Sequence, residues 1–191
     1  TANCVISCTI ASEPTVNSSN LTFPNTTCNS IELDWNLGNG SKRIVVASTS
    51  PIVGTPTDQT TYASNPIFGS GATIAAGEFV IYNGSGTNIT VTGLSNSTTY
   101  YFAIFEYNGT ATNCEENYFT TGVLTGNETT SVASEPTISS FTLLFPDTTC
   151  SSIDLSWTTG NGANTIVIAS TSPIVGSPSD QTAYTANSAF G

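Results

Sequence analysis

Apolar and polar positions alternate along this chain with a period of two, and no segment carries a helical period. Ile31, Leu33 and Trp35 alternate with Glu32, Asp34 and Asn36, which predicts a strand with one buried face. Ile44, Val45 and Val46 stand in a row within 43–48, β-branched residues suited to a strand. Further strands are predicted at 16–23, 78–82, 87–92, 100–107 and within 118–130. Asn83, Gly84, Ser85 and Gly86 read as a hairpin turn between two of them, because such residues accept positive φ. Residues 51–77 form a long excursion rich in Pro, Gly, Ser and Thr. The pattern predicts an all-β, antiparallel two-sheet sandwich.

The same pattern occurs twice. Residues 134–191 repeat 12–69 at a constant offset of 122 with no gap, and well over half of the aligned positions are identical. Trp157 answers Trp35, Cys150 answers Cys28, and 47–54 recur unchanged as 169–176. A fixed period of this kind marks a tandem array. The expected division is 1–11 as the end of a preceding module or a linker, 12–133 as a complete module, and 134–191 as the first half of a second copy. Residue 1 is not expected to be the translated start, because neither an initiator Met nor a signal peptide is present. The half module lacks counterparts of 78–92 and 100–130. It is therefore not expected to fold alone. Either the chain continues past Gly191, or strands of another chain complete the sandwich.

Composition narrows the function. Two Lys+Arg against 13 Asp+Glu give a net charge of −11, which excludes nucleic acid as a partner and opposes binding to anionic membranes. Hydrophobic residues make up 38% of the chain, enough for a core, and charged residues only 8%. Ser, Thr and Asn supply roughly two-fifths of the residues and must carry the solubility. No apolar run approaches the ~20 residues of a membrane span, so no membrane insertion is expected. The chain has no His, and Cys4, Cys8, Cys28, Cys114 and Cys150 include no CxxC pair, which disfavours zinc. Disulfides in an oxidising compartment are the expectation, with one cysteine left over.

Strand 31–35 ending in Trp35, followed by Leu94, Thr98 and Tyr100 ahead of an apolar strand, resembles the fibronectin type III pattern. The resemblance covers 11–131. It implies an immunoglobulin-like sandwich in tandem repeats, with Trp35, Leu94, Tyr100 and Trp157 as structural core and Leu94 and Tyr100 forming a tyrosine corner. The module is roughly 30 residues longer than the family pattern, and most of the excess lies in 51–77. That excursion, with Pro51, Gly54, Asp58, Tyr62, Asn65, Phe68 and Gly69, is similar to a version found in large secreted surface and adhesin proteins of Bacteroidetes.

In such a sandwich Cys28 and Cys114 lie at opposite poles, about 20 Å apart for strands of ~6 residues. A disulfide needs Cα atoms within ~7 Å. Cys114 is therefore expected to bond Cys8, or failing that Cys4, and not Cys28.

Strand 100–107 has two apolar faces. Tyr100, Phe102 and Ile104 are assigned to the core, leaving Tyr101, Ala103, Phe105 and Tyr107 on the outer face. That face needs a cover. One candidate is the excursion, with Tyr62 and Phe68 expected to touch Tyr101 or Phe105. The other is another chain or module, which makes Tyr101, Phe105 and Tyr107 interface candidates.

No catalytic residues are expected, because Glu115 and Glu116 should point apart and Asp34 is replaced by Ser156 in the repeat. No cofactor is expected. Asp58 and Asp180 recur, as do Glu13 and Glu135, and admit either turn and linker contacts or calcium at the junctions. Sequons begin at Asn17, Asn20, Asn25, Asn39, Asn83, Asn88, Asn96, Asn108 and Asn127. Asp147, Thr148 and Thr149 resemble a short O-glycosylation motif, so glycans are candidate partners. The expected function is an extracellular, cell-surface glycoprotein that builds a filament, appendage or adhesin with copies of itself or adjacent modules. The alternative is a carbohydrate- or ligand-binding accessory module of a secreted multidomain protein.

Overall fold

A computed structural model describes residues 9–110, 114–179 and 182–190. The chain divides into two compact units, Thr1–Ala133 and Ser134–Gly191. Among the described residues every regular element is a strand.

The described residues of the first unit form nine strands: β1 (Ser19–Thr22), β2 (Ser30–Asn36), β3 (Lys42–Ser48), β4 (Thr73–Ala75), β5 (Glu78–Gly84), β6 (Asn88–Thr92), β7 (Thr99–Asn108), β8 (Asn117–Tyr118) and β9 (Leu124–Thr129). One sheet has the order β1-β2-β6. The other has the order β4-β5-β3-β7-β8, with β9 also paired to β7. All these pairings are antiparallel. Every second residue of β2 is buried, and Ile31, Leu33 and Trp35 meet Val45, Ile81, Val91, Tyr100, Phe102 and Ile104 between the sheets. The fold is an all-β, fibronectin-III-like sandwich.

The expected hairpin at 83–86 does not form. β5 adds to β3 in one sheet, whereas β6 adds to β2 in the other, so the intervening residues carry the chain between sheets. Neither Asn83 nor Gly84, Ser85 nor Gly86 has positive φ, and the Gly86 N–H donates to the Tyr82 hydroxyl at 2.5 Å. A tight hairpin would need positive φ in its loop.

β3 is buried on both faces from Arg43 to Ser48. Its second face lies against a separate cluster in which Ile44, Val46, Val80, Ala103, Phe105, Tyr107 and Tyr118 pack with Ile52, Tyr62 and Ile74 of the excursion. The unit thus has two apolar layers, one between the sheets and one under the excursion.

The two ends of the first unit lie at opposite poles. The Ala11 N–H donates to Glu115 O, and Asn108 Nδ2 donates to Ser12 O, beside the β7–β8 turn. The Ser131 N–H donates to Thr27 O at the other end of β7. The ten residues of β7 span roughly 30 Å.

The second unit contains β10 (Phe141–Leu144) and β11 (Ser156–Thr158). Their antiparallel pairing, Phe141↔Thr158 and Leu144↔Ser156, reproduces Ser19↔Asn36 and Thr22↔Asp34 of β1–β2 at the offset of 122. Local turns recur as well. The Val16 and Ile138 N–H groups donate to Asn39 and Asn161 Oδ1, both at 2.9 Å, and the Thr149–Ser152 turn repeats Thr27–Ser30. Residues 164–170, the counterpart of β3, belong to no strand.

Candidate functional site

The polar centre of the first unit was not foreseen. Arg43 and Glu106 are paired residues of the β3–β7 ladder, and their side chains form a buried salt bridge at 3.1 Å. Glu106 also accepts from the Gly38 and Gly40 N–H groups, each at 3.1 Å, and from Ser18 Oγ. Arg43 donates further to Gly40 O and Gly86 O. A Cβ on Gly40 would lie 2.6 Å from the Glu106 carboxylate, so the turn after β2 needs glycine to bring its amides this close. The carboxylate is saturated with donors and closed to solvent, which gives it a structural role. The signal in the sequence was a glutamate within the otherwise apolar run 100–107.

A second carboxylate, Glu78, is 3% exposed at the start of β5. It accepts from the N–H groups of Val53, at 2.8 Å, and Gly54, at 3.0 Å, and so ties the excursion down. Asp58 does similar work, with Oδ1 accepting from the Tyr118 N–H at 2.8 Å, while the Tyr118 hydroxyl donates to Thr60 O. Glu115 and Glu116 do point apart. Glu115 accepts from Thr110, whereas Glu116 is buried and accepts from Thr61 Oγ1 at 2.5 Å. Among the described residues no group of three or more His, Cys, Asp and Glu side chains could hold a metal ion. Asp180 lies outside the described residues.

The outer face of β7 needs correction as an interface. Phe105 and Tyr107 are 2% and 0% exposed, covered by Tyr62, Ile52 and Ile74 of the excursion, and offer no surface to another chain. Tyr101 is half-buried. Phe68 is not part of that cover. Residues 66–68 run beside β6, with the Phe68 N–H donating to Thr92 O. The Phe68 ring therefore enters the inner layer, 5.0 Å from Tyr100 and 5.2 Å from Phe79. Ile67 is exposed.

Trp35, Leu94 and Tyr100 take the inner-core places expected of them. Trp35 packs edge-on against Tyr82 at 5.6 Å. Leu94 and Tyr100 are buried, and the Tyr100 hydroxyl accepts from the Ser95 N–H at 2.9 Å, the hydrogen bond of a tyrosine corner. Trp157, expected in the core as the counterpart of Trp35, is not buried: it is 37% exposed in the second unit.

Burial pushes the Tyr107 phenol up to about 12, and its hydroxyl donates to Asn83 Oδ1 at 2.6 Å. Burial pushes Tyr118 up as well, with Tyr107 and Glu116 adding in the same direction.

Cys28 and Cys150 are free thiols, and Cys114 is disulfide-bonded. Cys28 thus does not pair with Cys114. The partners expected for Cys114, Cys8 and Cys4, lie outside the described residues.

The concave surfaces among the described residues include two of note. A groove of about 680 Å³ on the three-stranded sheet is lined by polar residues including Asn20, Thr22, Asp34, Asn36 and Asn88. It has one carboxylate and no second group placed for acid–base work. The other, about 410 Å³, is apolar and lies in the second unit, lined by Ile166, Ile168, Ile174, Val175 and Tyr184 among others.

Several sequons are structurally engaged. Asn17, Asn39, Asn83 and Asn108 donate their side-chain amides to Thr121 O, Thr15 Oγ1, Tyr62 O and Ser12 O. Asn20, Asn25, Asn88, Asn96 and Asn127 are exposed.

No protein-family model matches the chain, and no curated protein matches it. Among solved structures it is similar to a computationally redesigned β-sandwich protein, at 17% identity over 62% of this chain and 97% of that chain, with a TM-score of 0.40. It is also similar to a fibronectin type III domain of human collagen XX, at 18% identity over 63% of this chain and 100% of that chain, with a TM-score of 0.32.

Proposed function

We propose that this chain is part of an extracellular structural repeat protein that builds a cell-surface fibre, appendage or adhesin. The carrying observation is the placement of the ends of the first unit. Ala11 and Ser12 sit at the β7–β8 pole, Ser131 sits at the Thr27 pole, and the repeat restarts three residues later at Ser134. Modules joined this way add length rather than bulk, and each extra copy costs only a short linker. The disulfide at Cys114 and the hydroxyl-rich, charge-poor composition support an oxidising exterior. The same proposal extends to glycans on the exposed sequons, and to large secreted surface proteins of Bacteroidetes, which the excursion resembles. It includes no catalytic role and no cofactor, in keeping with the absence of His from the sequence.

The test has two parts. Protease shaving of intact native cells, followed by peptide identification, should release this chain from the surface. Small-angle scattering of the purified native protein should give an elongated particle. An intracellular location would overturn the compartment, and a compact particle would overturn the array.

A second reading as a ligand-binding accessory module rests on the polar groove at Asn20, Asp34 and Asn88. The Trp35 side chain packs in the core, and no exposed aromatic ring lines this groove for stacking on a sugar. Binding on a glycan array that is lost in Asp34→Ala would favour it.

A further inference from the structure

Asparagine is followed by glycine at Asn39, Asn83, Asn108 and Asn161. Such a pair is open to spontaneous deamidation, because glycine leaves its own nitrogen unhindered for attack on the asparagine side chain. That backbone nitrogen bonds to Cγ, and its proton leaves with Nδ2 as ammonia. Water then opens the succinimide to aspartate or isoaspartate. The fold holds glycine at two of these places. Gly109 has a φ of +138°, and a Cβ on it would lie 2.9 Å from the backbone of Glu115 and Glu116. A Cβ on Gly84 would lie 2.7 Å from the Tyr82 hydroxyl, which accepts from the Gly86 N–H.

Each of the four carboxamides is held at both ends by partners distant in sequence. Asn83 Oδ1 accepts from the Tyr107 hydroxyl at 2.6 Å, and Asn83 Nδ2 donates to Tyr62 O at 2.9 Å. Asn108 Oδ1 accepts from the Ser41 N–H, and its Nδ2 donates to Ser12 O, both at 2.8 Å. Asn39 and Asn161 accept from the Val16 and Ile138 N–H groups and donate to the Thr15 and Thr137 hydroxyls. A side chain fixed in this way must break its bonds before it can turn onto the next nitrogen. The partners differ in what conversion would do. A threonine hydroxyl can donate as well as accept, so aspartate at 39 or 161 keeps its contacts. Tyr62 O and Ser12 O only accept, and an aspartate oxygen in place of Nδ2 would face them as a second acceptor.

We propose that Asn83 and Asn108 are fold-guarded deamidation sites that act as one-way latches, Asn108 on the N-terminal linker and Asn83 on the excursion. While closed, each latch protects its own amide. Once opened and converted, it cannot close again. The proposal is independent of compartment and of fibre formation.

The native protein and the protein unfolded in urea are held side by side at mildly alkaline pH, and aspartate and isoaspartate at each site are measured by peptide mapping. Asn83 and Asn108 should convert in urea and stay intact in the native protein. Tyr107→Phe should speed native conversion at Asn83 roughly fivefold, the weight of one neutral hydrogen bond, and leave Asn108 unchanged. Asn117 Nδ2 donates to Ala11 O beside the Asn108 latch. Asn117→Ala should therefore speed conversion at Asn108 and leave Asn83 unchanged. Asn108→Asp, which copies the product, should speed exchange of the Ala11 amide that bonds Glu115 O, while the β3–β7 amides stay protected. Equal conversion in native and unfolded protein overturns the proposal. So does a variant with protected β3–β7 amides that speeds both sites or neither. Unchanged Ala11 exchange in Asn108→Asp overturns the one-way latch.

Discussion

Arg43 and Glu106 face each other across the β3–β7 ladder, and their salt bridge has no access to water. One pair joins the two central strands to the turn after β2 and to Ser18 ahead of β1. Arg43→Ala should destabilise the first unit by about 3–5 kcal/mol, because it leaves a buried carboxylate without a counter-ion. The double change Arg43→Met with Glu106→Leu should cost much less than the single one. Urea unfolding of the three proteins checks this. A single change no worse than the double would show that the pair is not coupled.

The two apolar layers should respond separately. Phe105→Ala empties the layer under the excursion, and Phe68→Ala empties the layer between the sheets. Each should cost about 3–5 kcal/mol as a large-to-small core change. Hydrogen exchange should then show the first loosening the excursion near Ile52 and Tyr62, and the second loosening β6. Identical exchange patterns would contradict two layers.

Tyr100→Phe removes the hydroxyl that accepts from the Ser95 N–H. The loss should be about 1 kcal/mol, the usual net value of a neutral hydrogen bond. The thermal midpoint should fall, with the far-ultraviolet spectrum unchanged. A spectrum altered before unfolding would mean that the tyrosine corner shapes the fold as well as stabilising it.

Alkaline pH should unfold the first unit. An unfolded tyrosine loses its proton near pH 10, whereas folded Tyr107 holds its proton up to about 12. A folded pKa above the unfolded one means full stabilisation below pH 10, lost as pH rises from about 10 through 12. Tyr118 acts in the same direction. Tyrosinate absorbance should therefore rise in two steps, the second coinciding with loss of structure. Tyr107→Phe should move the unfolding to higher pH.

Alkylation of the native protein without reduction should label Cys28 and Cys150 and leave Cys114 unmodified. Peptide mapping is expected to find Cys114 joined to Cys8, or failing that Cys4. A peptide linking Cys114 to Cys28 would contradict the placement of Cys28 as a free thiol.

β2, β3 and β7 were legible because a period of two, or an unbroken β-branched run, is a local property of the chain. Which sheet a strand joins is not local. Residues 83–86 have the composition of a hairpin turn, yet β5 and β6 separate because Val45 and Ile31 recruit them into different sheets. Phe68 was placed on the wrong layer for the same reason: the bonds of 66–68 to Thr92, far along the chain, decide where its ring goes. That β7 has two apolar faces was legible, and so was the excursion as a candidate cover. The Arg43–Glu106 pair was missed because charges are read as surface by default, and only the ladder brings these two together.

Because Ala11 and Ser131 lie at opposite ends of β7, a pull between neighbouring modules runs along the strands rather than across them. Antiparallel ladder bonds stand perpendicular to their strands. Tension applied at these two points would load many bonds in shear together instead of peeling them one by one. The way the chain enters and leaves the first unit thus sets the direction of its greatest resistance to force.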